Sequence, residues 1–414
     1  MSQWNVARNL GVLGDLGVSS TSPHPTRDQL DGLYAHVPFC FHKCHYCDFY
    51  SLEEKPAEAS NRQAGFVDCL ITELELRSSQ FGLRPLTIFF GGGTPTLLSP
   101  SQWQRLLGAM DHLGVLDRVV EFTVEANPET ITKDLLTVLV EGGVNRISVG
   151  CQSFHPTMLK ALERHHDPAR LPESIQMIRA EGIQNVNLDL IYGIPGQTTM
   201  MVEVDLDTAL ALDSEHLSYY GLTYEPNTPL TQRLRMGQIE PIDDMQQRTM
   251  FQTIMARLES EGFEQYEISN WARTSQRSEV RGLTSSFRCR HNLLYWMNGN
   301  WLGIGPSAAS HLNGHRWKNE PHLGRYLASA GEPIIVEHEH LPADRQLGER
   351  IMLGLRLREG LPWDLLDSNM AASDPRRRVI EEMIDIKMLE HTPTHLRLTR
   401  EGLHVADAII GRLI

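Results

Sequence analysis

Residues 34–48 read Tyr-Ala-His-Val-Pro-Phe-Cys-Phe-His-Lys-Cys-His-Tyr-Cys-Asp, which places Cys40, Cys44 and Cys47 on one short segment. This cysteine loop, residues 40–47, has the spacing C-x3-C-x2-C, and no fourth cysteine follows closely. Structural zinc sites and ferredoxin-type clusters take four protein ligands. Three thiolates on one loop suit instead a cubane 4Fe–4S cluster that leaves one iron open to a small molecule. The alternative is a zinc site completed by a histidine of the same loop, although those histidines sit tightly between the cysteines for tetrahedral geometry.

Short apolar runs alternate with longer stretches of helical periodicity through the first half of the chain. The runs are Leu33–Val37, Leu86–Phe90, Val120–Val124, Arg146–Gly150, Val186–Ile191 and Leu217–Thr223. The helical stretches between them are Phe66–Arg77, Gln102–Leu113, Lys133–Glu141, Pro168–Glu181 and Met201–Leu212. Near-continuous apolar strands that alternate with helices are typical of parallel sheets covered on both faces. The sequence therefore predicts an α/β fold built on a partial (β/α)6 barrel.

Polar or glycine-rich segments follow the ends of these predicted strands. The cysteine loop follows the first strand and Gly91–Thr96 the second, while Glu125 closes the third, Gln152 follows the fourth and Asp189 closes the fifth. In parallel α/β folds the chemistry gathers beyond the carboxyl ends of the strands. Three consecutive glycines favour close approach of the backbone to a ligand, and the missing lysine excludes a P-loop. The sequence therefore predicts a ligand site at this edge of the sheet.

The pattern of the chain divides it into four predicted regions. Residues 1–31 lack the apolar core of a secretory signal and are predicted to be an extension before the barrel core at 32–225. Residues 226–330 hold one strong helix, Asp243–Glu261, and an aromatic-rich stretch that is predicted to cover the barrel. Residues 331–414 are predicted to form a small α/β or winged-helix-like module, with helices at Glu349–Arg358, Arg378–Met388 and Thr399–Leu413.

The composition of the chain indicates which classes of binding partner and which cellular compartment to expect. The net charge of −14 argues against a nucleic-acid partner, whose phosphates would repel such a surface. No apolar run approaches the roughly 18 residues of a membrane span. The remaining cysteines, Cys69, Cys151 and Cys289, are dispersed, unlike a secreted disulfide framework. A reducing cytoplasmic location is the expectation.

The C-x3-C-x2-C spacing followed by an aromatic residue resembles the radical S-adenosylmethionine (SAM) superfamily. More narrowly, the chain from about residue 30 to 400 resembles the oxygen-independent coproporphyrinogen III oxidase family in the motifs Gly-Gly-Gly-Thr-Pro-Thr, Glu-Ala-Asn-Pro, Gly-Cys-Gln-Ser-Phe and Asp-Leu-Ile-Tyr-Gly-Ile-Pro-Gly-Gln-Thr. The resemblance implies a 4Fe–4S cluster on Cys40, Cys44 and Cys47, with Tyr46 against the adenine. It implies SAM contacts at Tyr34, Gly92, Gly93, Thr94, Glu125, Gln152, Arg164 and Asp189.

Two details are similar to the heme-chaperone branch of that family, HemW. Phe49 stands where the true oxidases carry a further cysteine, and residues 291–296 read His-Asn-Leu-Leu-Tyr-Trp, an H-N-x-x-Y-W motif. The resemblance implies heme as a third bound group, with His291 or Tyr295 as the iron ligand. His311 and His315 are nearby competitors for that role.

The resemblance implies a heme chaperone that binds heme and passes it to an acceptor protein, such as a respiratory heme protein, and that forms a homodimer. The cluster and SAM would then regulate transfer. The alternative is a coproporphyrinogen III oxidase that decarboxylates two propionate side chains, which leaves open whether the chain is an enzyme.

Overall fold

The computed structural model describes residues 30–54, 59–274 and 287–414, so nearly all of the predicted N-terminal extension lies outside it. The strands up to the middle of the chain are β1 (Gly32–Val37), β2 (Phe39–Cys40), β3 (Leu52–Glu53), β4 (Thr87–Gly92), β5 (Glu121–Ala126), β6 (Arg146–Gln152), β7 (Asn185–Tyr192) and β8 (His216–Gly221). The later strands are β9 (Phe263–Glu267), β10 (Asn270–Arg273), β11 (Trp301–Ile304), β12 (Ala309–Leu312), β13 (His315–Asn319), β14 (Ile335–His340), β15 (Leu361–Pro362), β16 (Leu389–His391) and β17 (His395–Leu398).

The helices lie between these strands. They are α1 (Ala59–Phe81), α2 (Pro100–His112), α3 (Lys133–Glu141), α4 (Pro156–Ala161), α5 (Leu171–Ala180), α6 (Thr199–Ala211), α7 (Pro229–Arg235), α8 (Asp244–Ser260), α9 (Arg290–Trp296), α10 (Leu323–Ala328), α11 (Ala343–Gly354), α12 (Trp363–Asn369), α13 (Pro375–Asp385) and α14 (Ala406–Ile410). Short 3-10 turns occupy Pro95–Leu97, Pro128–Thr130, Pro168–Arg170 and Gly402–Val405. Side-chain caps begin several helices, as where Ser99 accepts a hydrogen bond from the backbone N–H of Gln102 just before Pro100.

Twelve of the described strands join in one sheet, in the order β14-β13-β12-β11-β1-β4-β5-β6-β7-β8-β10-β9. The six predicted strands correspond to β1 and β4–β8, which pair in parallel with their neighbours. The prediction of an α/β fold with a partial parallel barrel is therefore confirmed. The sequence did not reveal β11, which pairs in parallel with β1, or the antiparallel β10 and β12, which extend the sheet at its two ends.

Residues of the parallel strands alternate between two environments. On one face, residues such as Leu33, Phe90 and Val149 are fully buried in the apolar core beneath the helices. On the other face, which lines the barrel interior, stand polar residues: Thr123, Glu125, Ser148, Asn187, Asp189, His216 and Ser218. The expectation of near-continuously apolar strands is therefore wrong, because period-2 alternation places every second side chain in a polar interior.

The C-terminal module combines a three-stranded sheet, in the order β15-β17-β16, with helices α11–α14. It is tied to the large sheet by the backbone N–H of Arg358, which donates to the carbonyl of Tyr266 at 3.0 Å. The predicted helix Thr399–Leu413 is wrong, since the chain there forms a 3-10 turn and the short helix α14. At Gly402 an added Cβ would lie 2.1 Å from the carbonyl oxygen of Met388, so the chain packs closely against Met388 at that point.

A span of the bilayer requires a long apolar helix. Among residues 30–54, 59–274 and 287–414, no helix has the length and apolar character that such a span needs.

Candidate functional site

The cysteine loop begins where β2 ends and carries three thiols that are free of disulfides. The backbone N–H of Cys47 donates to the carbonyl of Cys44 at 3.2 Å, which folds the loop back on itself. The hydroxyl of Thr94 lies 3.6 Å from the Sγ of Cys40, and the Nη1 of Arg164 lies 3.7 Å from the Sγ of Cys44. Two predicted SAM-contacting side chains therefore meet the predicted cluster ligands directly.

The electrostatics of the loop fit a metal cluster. Burial, together with the neighbouring Cys40 and Cys44, raises the pKa of the Cys47 thiol to about 11. Burial likewise raises the pKa of Cys40. With their pKa values raised, the thiols of Cys40 and Cys47 resist deprotonation unless a cation is present, and coordination to a metal supplies that charge and removes their protons. The donor set is therefore suited to a 4Fe–4S cluster.

The glycine segment at the end of β4 packs against the protein's own strands β1 and β2. Gly92 has a φ of +100°, and a Cβ there would lie 2.4 Å from the ring of His36. A Cβ on Gly93 would lie 2.5 Å from the carbonyl oxygen of Phe39. The sequence argument expected close approach to a ligand, yet contacts within the chain already require glycine at both positions.

Two half-buried carboxyl groups, of Glu125 on β5 and Asp189 on β7, point into the barrel from strands on either side of β6. The backbone N–H of Gly92 donates to Glu125 at 3.3 Å, while Asp189 accepts from the Ser148 hydroxyl at 2.8 Å and the Asn187 amide at 2.9 Å. Burial, together with the neighbouring Asp189, raises the pKa of Glu125 to about 8. Acids of this kind suit a ligand that brings hydroxyl groups and positive charge.

Gln152 and Arg164 meet over Gly150. Gln152 ends β6 at an irregularity in the pairing with β7 and has a φ of +63°. A Cβ on Gly150 would lie 2.9 Å from the amide nitrogen of Gln152 and 3.0 Å from Nη2 of Arg164, which donates to the Gly150 carbonyl. Glycine at this position therefore leaves room for both side chains to reach the site.

Tyr46 and Tyr34 complete the predicted SAM-contacting set. Tyr46 packs on the small apolar cluster of Met158 and Ile191, and burial followed by the neighbouring Cys44 raises the pKa of its hydroxyl. The Tyr34 hydroxyl lies 3.1 Å from Nδ1 of His36. The structure thus brings the cluster cysteines and the predicted SAM-contacting residues to one edge of the sheet.

The H-N-x-x-Y-W segment lies at the opposite end of the barrel interior. It forms α9, whose first backbone N–H groups, at Arg290 and His291, donate to the carboxylate of Glu121 at the start of β5. His291 is 1% exposed and stacks on Phe89 with ring centroids 5.3 Å apart. In this conformation the motif forms the floor of the barrel, and the cluster site lies at its mouth.

Both ring nitrogens of His291 are engaged. The Thr87 hydroxyl donates to the carbonyl of Asp31 and lies 2.8 Å from Nδ1, so it accepts the Nδ1 proton. Nε2 lies 2.8 Å from the Tyr295 hydroxyl and therefore accepts from it. Burial, followed by the charge of Arg146, lowers the pKa of His291 to about 3, which keeps the ring neutral. The Nε2 lone pair of His291 is therefore occupied in this conformation, and the Tyr295 hydroxyl proton is used in the same bond.

His311 and His315, the competitors for the iron, lie on β12 and β13. Nδ1 of His311 donates to the carbonyl of Gly299 at 2.7 Å. Nε2 of His311 and Nδ1 of His315 are buried and lack a hydrogen-bond partner among the described residues. Each of these two rings retains a nitrogen lone pair for a metal, although His311 as a residue is only 3% exposed.

Sequence reasoning missed a chain of buried polar groups that joins the floor to the mouth of the barrel. Asn292 of α9 donates to the Tyr266 hydroxyl at 3.3 Å, which lies 2.9 Å from Nε2 of His216. Nδ1 of His216 lies 2.6 Å from the Asn187 amide oxygen, and the Asn187 nitrogen donates to Asp189. The alternation of polar residues in Asn-Val-Asn-Leu-Asp, residues 185–189, was the available signal.

Comparison with known proteins finds two matching family models and relatives that cover most of the chain. Residues 34–209 match the model of the radical SAM superfamily, and residues 341–405 match that of the HemN C-terminal domain. The chain is 32% identical to the heme chaperone HemW of Lactococcus lactis, with 92% of this chain and 96% of that protein covered. It is 34% identical to the heme chaperone HemW of Mycobacterium tuberculosis, with 94% and 96% covered.

This chain belongs to the HemW family. The solved structure of coproporphyrinogen III oxidase (HemN) from Escherichia coli superposes with a TM-score of 0.78 at 20% identity, over 94% of this chain and 90% of that one, and it supports the fold. Membership of HemW in the radical SAM superfamily implies a 4Fe–4S cluster and SAM.

Proposed function

We propose that this protein is a heme chaperone, which binds heme and transfers it to an acceptor protein. The observation that carries the proposal is the family membership together with the intact site. A HemW-family chain presents three free thiols, and Thr94 and Arg164 contact two of them. The acceptor would be a heme protein such as a respiratory one, in the cytoplasm or exposed to it, and a homodimer is the proposed assembly.

In the proposed site Cys40, Cys44 and Cys47 would hold the 4Fe–4S cluster, and SAM would bind at the carboxyl ends of the strands. The cluster would supply an open iron able to take the amino and carboxylate groups of SAM. Arg164 is placed to neutralise a carboxylate beside Cys44, because it already lies 3.7 Å from that sulfur. Asp189 and Glu125, half-buried in the barrel mouth, would receive ribose hydroxyls and offset the positive sulfonium.

The remaining predicted contacts surround that position. Gly92, Gly93 and Thr94 supply the backbone and hydroxyl groups after β4, which would meet the amino group of SAM. Tyr46 would cover the adenine. Because the ligand and cluster sites share Arg164 and Thr94, occupancy of one is expected to order the other.

Heme is proposed to bind through the H-N-x-x-Y-W motif, with iron on His291 or Tyr295. In the closed floor the lone pair of His291 Nε2 is used by the Tyr295 hydroxyl, so iron ligation requires that bond to break. We therefore infer that α9 shifts away from β4 when heme binds. Hydrogen–deuterium exchange of residues 290–297 should then increase on addition of heme.

One anaerobic experiment series tests the chaperone function. The protein with its reconstituted cluster is titrated with heme and compared with His291→Ala. The proposal expects a Soret band that saturates at one heme per chain and that is lost in the variant. An unchanged band in His291→Ala would remove this residue from its role, and Tyr295→Phe would then be compared.

The same preparation is offered coproporphyrinogen III, reductant and SAM, with porphyrin products separated by chromatography. The chaperone proposal expects the substrate to remain unchanged. Formation of protoporphyrinogen IX would overturn it in favour of the oxidase alternative. Cluster assignment is tested by iron analysis of Cys44→Ala, which should lose the 4Fe–4S spectrum, with Cys69→Ala as the matched control that keeps it.

A further inference from the structure

A group of metal-ligating side chains beside the cysteine loop has no role in the proposed function. His42 lies between Cys40 and Cys44, and Glu163 and His165 lie on the segment that follows α4. One ligand atom of each of these three residues lies within 4.8 Å of the other two. The rings of His42 and His165 meet edge to face with centroids 4.5 Å apart, and Nε2 of His165 lies 3.8 Å from Glu163.

The nitrogen atoms of His42 are differently disposed. Nδ1 lies 3.9 Å from the carboxylate of Glu53, whereas Nε2 is buried and has no hydrogen-bond partner among the described residues. In metal sites a ligating histidine commonly directs its other ring nitrogen to a carboxylate, which fixes the ring orientation. The surroundings of His42 follow that arrangement, with Nε2 left for an ion.

We propose that His42, Glu163 and His165 bind one divalent transition-metal ion of the zinc class. Two imidazoles and one carboxylate form a donor set that Zn²⁺ and related ions favour, with water at the remaining position. The three side chains are partly open to solvent, so an ion can enter from outside. The donor set uses none of the three thiols and does not depend on heme.

The ion would join two segments that meet at the cluster. His42 belongs to the cysteine loop, and Glu163 and His165 flank Arg164, whose guanidinium contacts Cys44. A metal bridge between them holds Arg164 against the loop. The bound ion therefore restricts opening of the loop and protects a cluster held there from loss.

Zinc binding tests the proposal on the protein with its cluster in place. The anaerobic sample is stripped of loose metal with a chelating resin, titrated with ZnCl2 in a calorimeter, and analysed for zinc and iron after desalting. Wild type should take up one zinc per chain without loss of iron. His165→Ala and Glu163→Gln should each weaken zinc binding about tenfold or more, since even outer-shell changes cost about 10- to 100-fold. The exposed His112, on α2, supplies the matched control His112→Ala, which should bind zinc as wild type does.

A second readout follows the cluster itself. Bleaching of the cluster absorbance in air should slow when zinc is present in wild type, and zinc should make no difference in His165→Ala. Absence of zinc uptake by wild type, or equal uptake by His165→Ala, would overturn the proposal. Zinc uptake that displaces iron from wild type would also overturn it, because the ion would then occupy the thiols. None of these outcomes depends on whether the protein carries heme.

Discussion

The hydroxyl of Tyr295 lies 2.8 Å from Nε2 of His291, one helical turn earlier on α9. This bond closes the floor of the barrel and uses the lone pair that would bind iron. Asn292 of the same helix is hydrogen-bonded to the Tyr266 hydroxyl, which is hydrogen-bonded to His216. These bonds connect the helix with the polar residues around Asp189. The H-N-x-x-Y-W motif is therefore part of the internal structure of the barrel, and heme and SAM are expected to influence each other through it.

Removal of the His291 ring should destabilise the protein strongly. His291→Ala leaves a cavity beside Phe89 and leaves the hydroxyls of Thr87 and Tyr295 without their partner, so the free energy of unfolding should fall by about 2–4 kcal/mol. Tyr295→Phe removes one hydrogen bond with little change in volume and should cost about 1 kcal/mol. Urea denaturation of the cluster-free proteins measures both values. A larger loss for Tyr295→Phe than for His291→Ala would contradict this structure of the floor.

Lowering the pH should reduce the free energy of unfolding because of the His291 ring. The pKa of His291 is about 3 in the folded protein and about 6.5 when unfolded, so the unfolded chain binds a proton that the folded one excludes between these values. Stability from this group is complete above about pH 6.5 and is lost as the pH falls toward 3, at about 1.4 kcal/mol per pH unit. His291→Gln should show a shallower fall in unfolding free energy between pH 7.5 and 5.5. Equal slopes for the variant and wild type would refute the assignment.

Glu125 should give the opposite pH dependence of the unfolding free energy. Its pKa is raised to about 8, so below that value the folded protein holds a proton that the unfolded chain releases above about pH 4.5. The stability from this group is present at low pH and is lost as the pH rises toward 8. In the cluster-free, SAM-free protein, Glu125→Gln should therefore be more stable than wild type at pH 8, and the difference should shrink at pH 5. Thermal melts at both pH values measure this, and a variant that is less stable at pH 8 would contradict it.

The hydrogen bond from Ser148 that holds the Asp189 carboxylate in place should affect how tightly SAM binds. Ser148→Ala removes a 2.8 Å hydrogen bond to this carboxylate, and bonds to charged groups are worth about 1.5–3 kcal/mol. We expect SAM to bind about tenfold more weakly in equilibrium dialysis, with iron content unchanged. Ser153→Ala is the matched control, because it removes an equal 2.8 Å bond to the buried Asp205. Similar SAM affinities in the two variants would show that Asp189 does not receive the ligand.

The local part of this structure could be read from the sequence. The run Leu33–Val37 lies within β1 (Gly32–Val37), and its apolar residues Leu33, Ala35 and Val37 alternate along the strand and are fully buried. The cysteine loop and the acids at the strand ends could be placed together because parallel strands bring their carboxyl ends to one edge. The contacts of Thr94 with Cys40 and of Arg164 with Cys44 agree with that placement.

The other features depend on contacts between residues that are far apart in the sequence. His291 meets Thr87 across 204 positions in the chain, and no local pattern shows that its ring nitrogens are occupied. Strand β11 (Trp301–Ile304) has four residues, too few for a periodicity argument, and its parallel place beside β1 is decided by tertiary packing. The helix predicted at Thr399–Leu413 failed for a similar reason, since the packing of Gly402 on Met388 overrides the helical pattern.

Heme titration of the cluster-containing wild-type protein, followed by the Soret band under anaerobic conditions, tests the chaperone function most directly. We predict saturation at one heme per chain with a dissociation constant at or below about 1 μM, near −8 kcal/mol of binding free energy. A linear rise without saturation, as heme gives when it associates non-specifically, would contradict it.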